Sequence, residues 1–500
     1  MRQQPVEWIF TSFILKEVCD KVDYRLRFSR HRYYCPLEEL DMYLHYRGIS
    51  LGSRMNLIDQ LSRLMRNSFL LAILGTLLFY EGEALRQRSP IDTRERRSPS
   101  QFKVKEKQFY ATTVSGLENI LASEIQQLSH AKNIRVEKGG VFFTGDKQTA
   151  LEGLLWLRTS LKLMEKVTEG VAETKDDLYS LCTSVDWTSM IDQDSTIKCD
   201  TTTGVTTAEL SHTHFTSLTV KNAIVDQFRS KTGVRPSVDT KDPDLSVLLY
   251  LHKGWATLYK VWSGDASMHK RGYRDVVHVA ALRETTAAAL VIASEWSPDK
   301  QLLCDPMCGS GTIAIEAAFI ATNTAPGLIK YGHSQDNTRQ LPHALKWSQT
   351  SDAEWDDVWS VANKEDKREQ FLAEGRSVVA IANDIHPGAI ELANRGAEMA
   401  GVGNLIDFSC TDIAAYTPQI SPNFILTNPP WDIRLEGADE SWRKLGGFVR
   451  AHTPVESSTV LWALSGNPEV MKGLEMRPSH HIPIRGAARD MRFIRYDFSQ

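Results

Sequence analysis

The sequence is short of the features that assign a protein class quickly. Seven cysteines are spread over 500 residues with no CxxC pair. Neither a zinc site nor a CxxC redox centre is therefore written into the chain, and the odd count points to reduced thiols rather than a disulfide framework. No metal is expected. No apolar run reaches the roughly twenty residues of a membrane-spanning helix. The nearest approach is Ser68 to Tyr80, thirteen residues preceded by Arg63 and Arg66. A translation start at Met55 would put basic and apolar regions in signal-peptide order, and a buried helix fits the same residues. The expected address is cytoplasmic, or organellar if this stretch is a targeting segment, with no obligate membrane partner. Charge of one sign is lacking too. Lys and Arg total 58 against 62 Asp and Glu, a formal net charge of -4, which excludes the uniformly basic surface of a histone-like binder but leaves room for a local basic patch.

A chain of this length exceeds one core and implies two or three packed domains plus a loosely attached segment. Residues 1-100 are basic in patches and carry no chemistry motif. They end in the Pro, Arg and Ser-rich run from Gln87 to Ser100, which lacks hydrophobic periodicity and reads as a solvated linker. An independent unit is expected from Gln108. Its apolar spacing predicts a strand at 109–114, a helix at 116–128 and a strand at 139–144. A second small α+β unit is expected to Trp262, with strands at 195–199, 246–251 and 257–262 and a helix at 220–231. Next comes Met268-His269-Lys270-Arg271-Gly272-Tyr273-Arg274. Lys270, Arg271 and Arg274 could grip phosphates while Tyr273 packs on a sugar or base; a solvated interdomain loop fits the same composition.

The chemistry is concentrated downstream. The apolar run Gln301 to Cys304 precedes Asp305-Pro306-Met307-Cys308-Gly309-Ser310-Gly311-Thr312, and a helix-spaced apolar stretch follows at 313–320. Strand, glycine loop and helix in that order bring backbone N–H groups and a helix N-terminus close to a ligand. No Lys-Ser or Lys-Thr follows the glycines and a third glycine is missing, so the loop suits a nucleoside or a carboxylate rather than a phosphate chain. A second strand ends at Asn383-Asp384, where an acid can accept both ribose hydroxyls. Asp412, after a strand at 406–409, could accept from an adenine amine, although an Asp is common in such loops. A strand at 424–426 leads into Asn428-Pro429-Pro430-Trp431. The prolines fix the backbone, so the Asn428 side-chain oxygen and the Pro429 carbonyl can converge on one donor such as a base amine. Trp431 adds a flat face for a base swung out of its stack. In isolation these four residues would read as a turn; their position behind two other strand-end motifs is what gives them weight.

Taken together, Asp305 to Thr312, Asp384, Asp412 and Asn428 to Trp431 resemble the motifs of class I S-adenosylmethionine-dependent amino-methyltransferases. FYATTVSGLENILASEI, KGGVFF, HKRGYR and CDPMCGSGT are similar to the THUMP-domain RNA guanine-N2 methyltransferases, over roughly residues 108 to 500. The resemblance implies an α/β architecture: a ferredoxin-like unit (108-165), a THUMP RNA-binding domain (166-265) and a Rossmann-like, doubly wound methyltransferase domain (275-500). It implies S-adenosylmethionine as cofactor, held by the glycine loop, Asp384 and Asp412. Asn428 to Trp431 would be catalytic, and structured RNA, above all large-subunit ribosomal RNA, would be the partner, gripped in part by Lys270, Arg271, Tyr273 and Arg274. The target would be the exocyclic amine of guanosine; transfer RNA, small nuclear RNA or a non-catalytic assembly role are the alternatives. Three departures stand out. Trp431 replaces the Tyr usual in bacterial relatives, the second methyltransferase half fused to some of them has no counterpart before Gln500, and residues 1-100 match nothing in the family.

Overall fold

A computed structural model describes residues 106–274, 281–332, 340–374, 378–431, 437–452, 459–486 and 490–498. The candidate targeting segment and the linker at 87–100 lie outside the described residues. All described residues belong to one compact unit, Phe102–Gln500.

Its first half is an eight-stranded sheet in the order β2-β3-β1-β4-β8-β7-β5-β6. The strands are β1 (Lys107–Thr112), β2 (Lys132–Glu137), β3 (Gly140–Gly145), β4 (Lys162–Val171), β5 (Thr196–Thr203), β6 (Ser237–Val238), β7 (Leu245–His252) and β8 (Trp255–Val261). Period-two alternation in β1 turns Phe109 and Ala111 inward, where Leu121 and Ile125 of the helix Glu118–Ile125 meet them. The helix Lys147–Trp156 starts at a capping box, in which Asp146 accepts from the Thr149 backbone, satisfying an otherwise orphaned amide. The helix Thr213–Thr232 stops at Gly233, whose φ of 77° suits glycine.

The two small units expected from the sequence are joined as one sheet, because β4 serves both. Its first residues pair antiparallel with β1, and Met164–Val171 pairs with β8. β4 escaped the strand reading because it reads KLMEKVTEGV, with charges where an apolar alternation was sought. One of them, Glu165, is buried and fully partnered: Lys107 Nζ lies 3.0 Å away, Lys260 Nζ 3.1 Å, and Trp262 Nε1 donates at 2.9 Å. Burial holds the Lys260 ammonium down at about 8.

The second half is a seven-stranded sheet ordered β11-β10-β9-β12-β13-β15-β14. Here β9 is Leu303–Asp305, β10 Ala380–Asp384, β11 Ile406–Cys410, β12 Phe424–Thr427, β13 Val460–Ser465, β14 His480–Arg485 and β15 Asp490–Asp497. The pairs from β11 to β13 are parallel; β15 alone is reversed, pairing antiparallel with both β13 and β14. Apolar side chains of the helices Glu284–Ala293, Thr312–Ala321 and Pro387–Met399 fill one face, and the helix Ala438–His452 packs in the core of the other. This is the doubly wound, mostly parallel sheet expected. The chain steps from β9 outward to β10 and β11, then returns to β12 on the other flank, so the order reverses beside β9. In such sheets ligands lie at the carboxyl ends of the strands at this reversal.

Candidate active site

The registers bring the motif-bearing strand ends level. Cys304 pairs with Ile381 on one side and Ile425 on the other. Asp305, Asp384 and Asn428 therefore emerge from three adjacent strands at one edge. Asp305 is 1% exposed. Its carboxylate accepts from the Met307 amide at 3.3 Å, and burial above all pushes its carboxyl up to about 7. Beyond it the chain turns on Gly309 and Gly311, with φ of 54° and 71°, values that glycine adopts without strain. The two glycines differ in purpose. A Cβ on Gly309 would meet nothing within 4 Å, whereas one on Gly311 would lie 3.0 Å from Ala393 and 3.1 Å from Phe408. Gly309 therefore faces open space and Gly311 lets the loop close onto the helix Pro387–Met399 and β11. Ser310, between them, is half-buried. Thr312 opens the helix.

Asp384 is bound to that loop: its Oδ2 accepts from the Gly309 amide at 2.9 Å, and its Oδ1 accepts from the His386 amide at 2.9 Å. Asn383, which no motif singled out, holds the edge together. Fully buried, it donates from Nδ2 to the carbonyls of Pro306 (3.3 Å) and Thr411 (2.9 Å), and its Oδ1 accepts from the Thr411 amide. Its own carbonyl accepts from Cys308 N at 2.8 Å. The available signal was an amide side chain closing an apolar strand, since a buried Asn requires partners. Burial also drives the Cys308 thiol well above its usual range, so it is an apolar packing group here.

Asp412 follows β11. Its Oδ2 accepts from Lys444 Nζ at 2.8 Å and its Oδ1 from the Ala414 amide. Hydrogen bonding from Lys444 holds the carboxyl below the ordinary range. Lys444 lies 32 residues away, on the helix Ala438–His452, and sequence reasoning missed it.

At the end of β12, Asn428 Oδ1 accepts from Trp431 Nε1 at 3.0 Å. The Trp431 ring lies against Gly466, just past β13, where a Cβ would come within 2.5 Å of Cζ3. Pro429 is buried, and the Pro430 carbonyl accepts from Trp442 Nε1 at 3.1 Å. A half-exposed indole thus flanks Asn428 and is backed by glycine.

The basic linker is not the phosphate clamp expected of it. Arg271 and Tyr273 are 2% and 1% exposed. Arg271 donates to the carbonyls of Met268 and Arg158, and its Nε lies 3.5 Å from Glu316; Tyr273 donates to the same carboxylate at 3.0 Å. Arg274 donates to Thr312 Oγ1 at 2.8 Å and to the Leu282 carbonyl, and its Nε lies 3.3 Å from Glu284. Charges desolvated and paired in this way are turned into the protein rather than toward a phosphate. Three of the four residues are therefore structural braces; Lys270 alone is exposed. Elsewhere, a cleft of about 800 Å³ is lined by Glu124, Glu152, Glu354, Asp357 and Glu365. Its acidic wall suits no polyanion, and it contains none of the strand-end residues.

Family models match three consecutive segments: a ferredoxin-like domain of the RlmL type over residues 108–164, a THUMP domain over 172–261, and an RMKL-like methyltransferase domain over 271–487. The chain is 32% identical over 333 residues to the ribosomal RNA large subunit methyltransferase K/L of Shewanella frigidimarina; the match spans 66% of this chain. It spans 44% of the relative, less than half its length. Two solved structures are similar at TM-score 0.67 and 26% identity, a possible methylase from Clostridium difficile and a predicted N6-adenine-specific DNA methylase from Listeria monocytogenes. Each match covers 78% of this chain, with 98% and 96% of the other. Sheet order and strand-end loops define a class I methyltransferase fold. In its three consecutive domains the chain is similar to the THUMP-containing methyltransferases.

Proposed function

We propose that the chain transfers a methyl group from S-adenosylmethionine to the exocyclic amine of a guanosine in RNA, with large-subunit ribosomal RNA as substrate. The observation that carries this reading is the meeting of the Gly309–Asp384 hydrogen bond and the Asn428 acceptor at one carboxyl edge, in a chain that also holds a THUMP domain. The residues fit the cofactor: Gly309 opens onto free space, the helix beginning at Thr312 offers an N-terminus to a carboxylate, and Asp384 and Asp412 are acceptors for ribose hydroxyls and an adenine amine. The bound cofactor supplies a methyl group activated by its sulfonium charge. The protein's task is then orientation. Asn428 Oδ1 and the Pro429 carbonyl accept the two amine hydrogens and turn the nitrogen lone pair toward the methyl carbon, while the Trp431 ring supports the base. The relative's name includes ribosomal RNA, and the ferredoxin-like and THUMP domains favour RNA over duplex DNA.

Asn428→Ala tests the reading. Losing one positioned acceptor should cost roughly 3 kcal/mol of transition-state stabilisation, by analogy with an oxyanion-hole donor, or on the order of a hundredfold in rate. Single-turnover transfer to unmodified ribosomal RNA at saturating cofactor, with N2-methylguanosine measured by mass spectrometry, should show that loss while cofactor affinity stays intact. Full activity would exclude the mechanism. N6-methyladenosine as the product would replace the guanosine assignment.

A further inference from the structure

With Arg271, Tyr273 and Arg274 engaged inside the protein, the cations left beside the linker form a different group. Ser267 to Lys270 is a tight turn, closed by the Lys270 amide donating to the Ser267 carbonyl at 3.1 Å. Lys330, at the end of the helix Pro326–Lys330, donates from Nζ to that same carbonyl at 3.3 Å. The Lys330 ammonium is thus pinned against the turn that carries His269 and Lys270. His269 Nδ1 is buried with no hydrogen-bond partner, and Arg283, exposed just ahead of the helix Glu284–Ala293, is among the charges that disfavour its protonation.

No carboxylate among the described residues balances this group. Glu316 is committed to Arg271 and Tyr273, Glu284 to Arg274, and Asp265 to Lys198. Burial, then Arg271 and Lys270, holds Lys330 down at about 8. Burial, then Arg283, Lys270, Lys330 and Arg271, holds His269 down at about 4. Gathering like charges and removing them from water costs folding free energy, and a bound anion would offset it.

We infer that Lys330, Lys270, Arg283 and the His269 ring form a subsite for one phosphodiester of the RNA strand that presents the target base. The donor set fits: two ammonium groups and a guanidinium supply charge, and the His269 ring lies beside them in the turn that carries Lys270. The placement also fits. Arg274, four residues beyond Lys270, holds the first residue of the helix that follows the glycine loop, so the subsite lies within about 14 Å of chain from that brace. The inference rests on the proposed RNA substrate and adds where its backbone is held.

The test uses the full chain, unmodified large-subunit ribosomal RNA as probe, and the variants Lys330→Met and Lys270→Met. Each should weaken RNA binding about tenfold at 0.1 M salt, and the slope of log K against log salt should fall by about 0.7 to 0.9 for the one phosphate released. Cofactor affinity should stay unchanged. Lys330→Met should also raise the melting temperature of the free protein, since it removes a buried, uncompensated charge. Inorganic phosphate should stabilise the wild type and not Lys330→Met. Unchanged affinity and slope in both variants would overturn the subsite, as would no RNA affinity in the wild type, or an acidic peptide displaced by these variants while RNA is not. RNA held through these residues with no methyl transferred would end the functional reading and leave the subsite standing.

Discussion

Trp431→Phe offers a sharp probe of how the active site waits for its substrate. In the free protein the acceptor proposed for a base amine is already used, because Trp431 Nε1 donates to Asn428 Oδ1 at 3.0 Å. An incoming amine must exchange that bond for its own. A neutral hydrogen bond is worth about 1 kcal/mol net, so releasing Asn428 beforehand should favour the productive complex about fivefold. Phe removes the indole donor and keeps an aromatic face. It also shortens the ring, so the contact of Cζ3 and Cε3 with Gly466 is lost, and that packing change could mask the gain in a single variant. A double-mutant cycle separates the two effects. In single-turnover transfer at saturating cofactor with RNA varied, Trp431→Phe should act on kcat/KM about fivefold more favourably in the wild type than in the Asn428→Ala background, where no oxygen remains to be released. Equal effects in both backgrounds would mean that the indole donor does not compete with substrate, and would refute the reasoning.

Asp384→Ala removes the acceptor of the Gly309 and His386 amides. Charged hydrogen bonds are worth about 1.5 to 3 kcal/mol, so S-adenosylmethionine affinity measured by calorimetry should fall at least tenfold, with turnover recovering as cofactor is raised. Arg271→Met leaves the buried Glu316 carboxylate without its cation. It should lower stability by about 3 to 5 kcal/mol, read as a fall in the urea midpoint, and the double variant with Glu316→Gln should recover part of that loss. RNA affinity per folded molecule should change far less than in Lys330→Met; the reverse ranking would restore Arg271 as a phosphate ligand.

What was legible in the sequence follows the range of the interactions concerned. The β9 strand, its loop and the helix after it are contiguous, so apolar spacing and two glycines sufficed to find them. Asp384 was found through its place at a strand end, and its bond to Gly309 follows from the parallel pairing of β9 with β10. The linker failed for the opposite reason. Lys270-Arg271-Gly272-Tyr273-Arg274 looks equally basic whether it faces water or meets Glu316 and Glu284, and the partners that bury Arg271 and Tyr273 lie far off in sequence. The same holds for β4, whose Glu165 is balanced by Lys260 and Trp262 from β8 and the residue after it, and for Lys444 on Asp412. Local periodicity records which way a side chain points. It does not record which distant charge will meet it.

The misread linker nevertheless bears on function, through geometry rather than contact. Arg158, just past the helix Lys147–Trp156, donates from Nη1 to the Thr324 carbonyl at 2.7 Å, and its own carbonyl accepts from Arg271. Arg271 and Tyr273 share Glu316 on the helix that follows the glycine loop, and Arg274 holds the first residue of that helix. Gly327 adds a close approach, since a Cβ there would fall 2.5 Å from the Leu155 backbone. The isolated bridge between Ser115 and Arg485 ties the first sheet's side to β14. Directional, buried polar contacts of this kind tolerate little relative motion, because each one broken leaves a desolvated charge or carbonyl. On the proposed function, an RNA-recruiting module and a methylating site would have to be held at a fixed spacing for one nucleotide alone to reach Asn428. The linker's arginines, bound to Glu316, Glu284, Thr312 and the Arg158 carbonyl, would maintain that spacing from inside the protein rather than by gripping a strand.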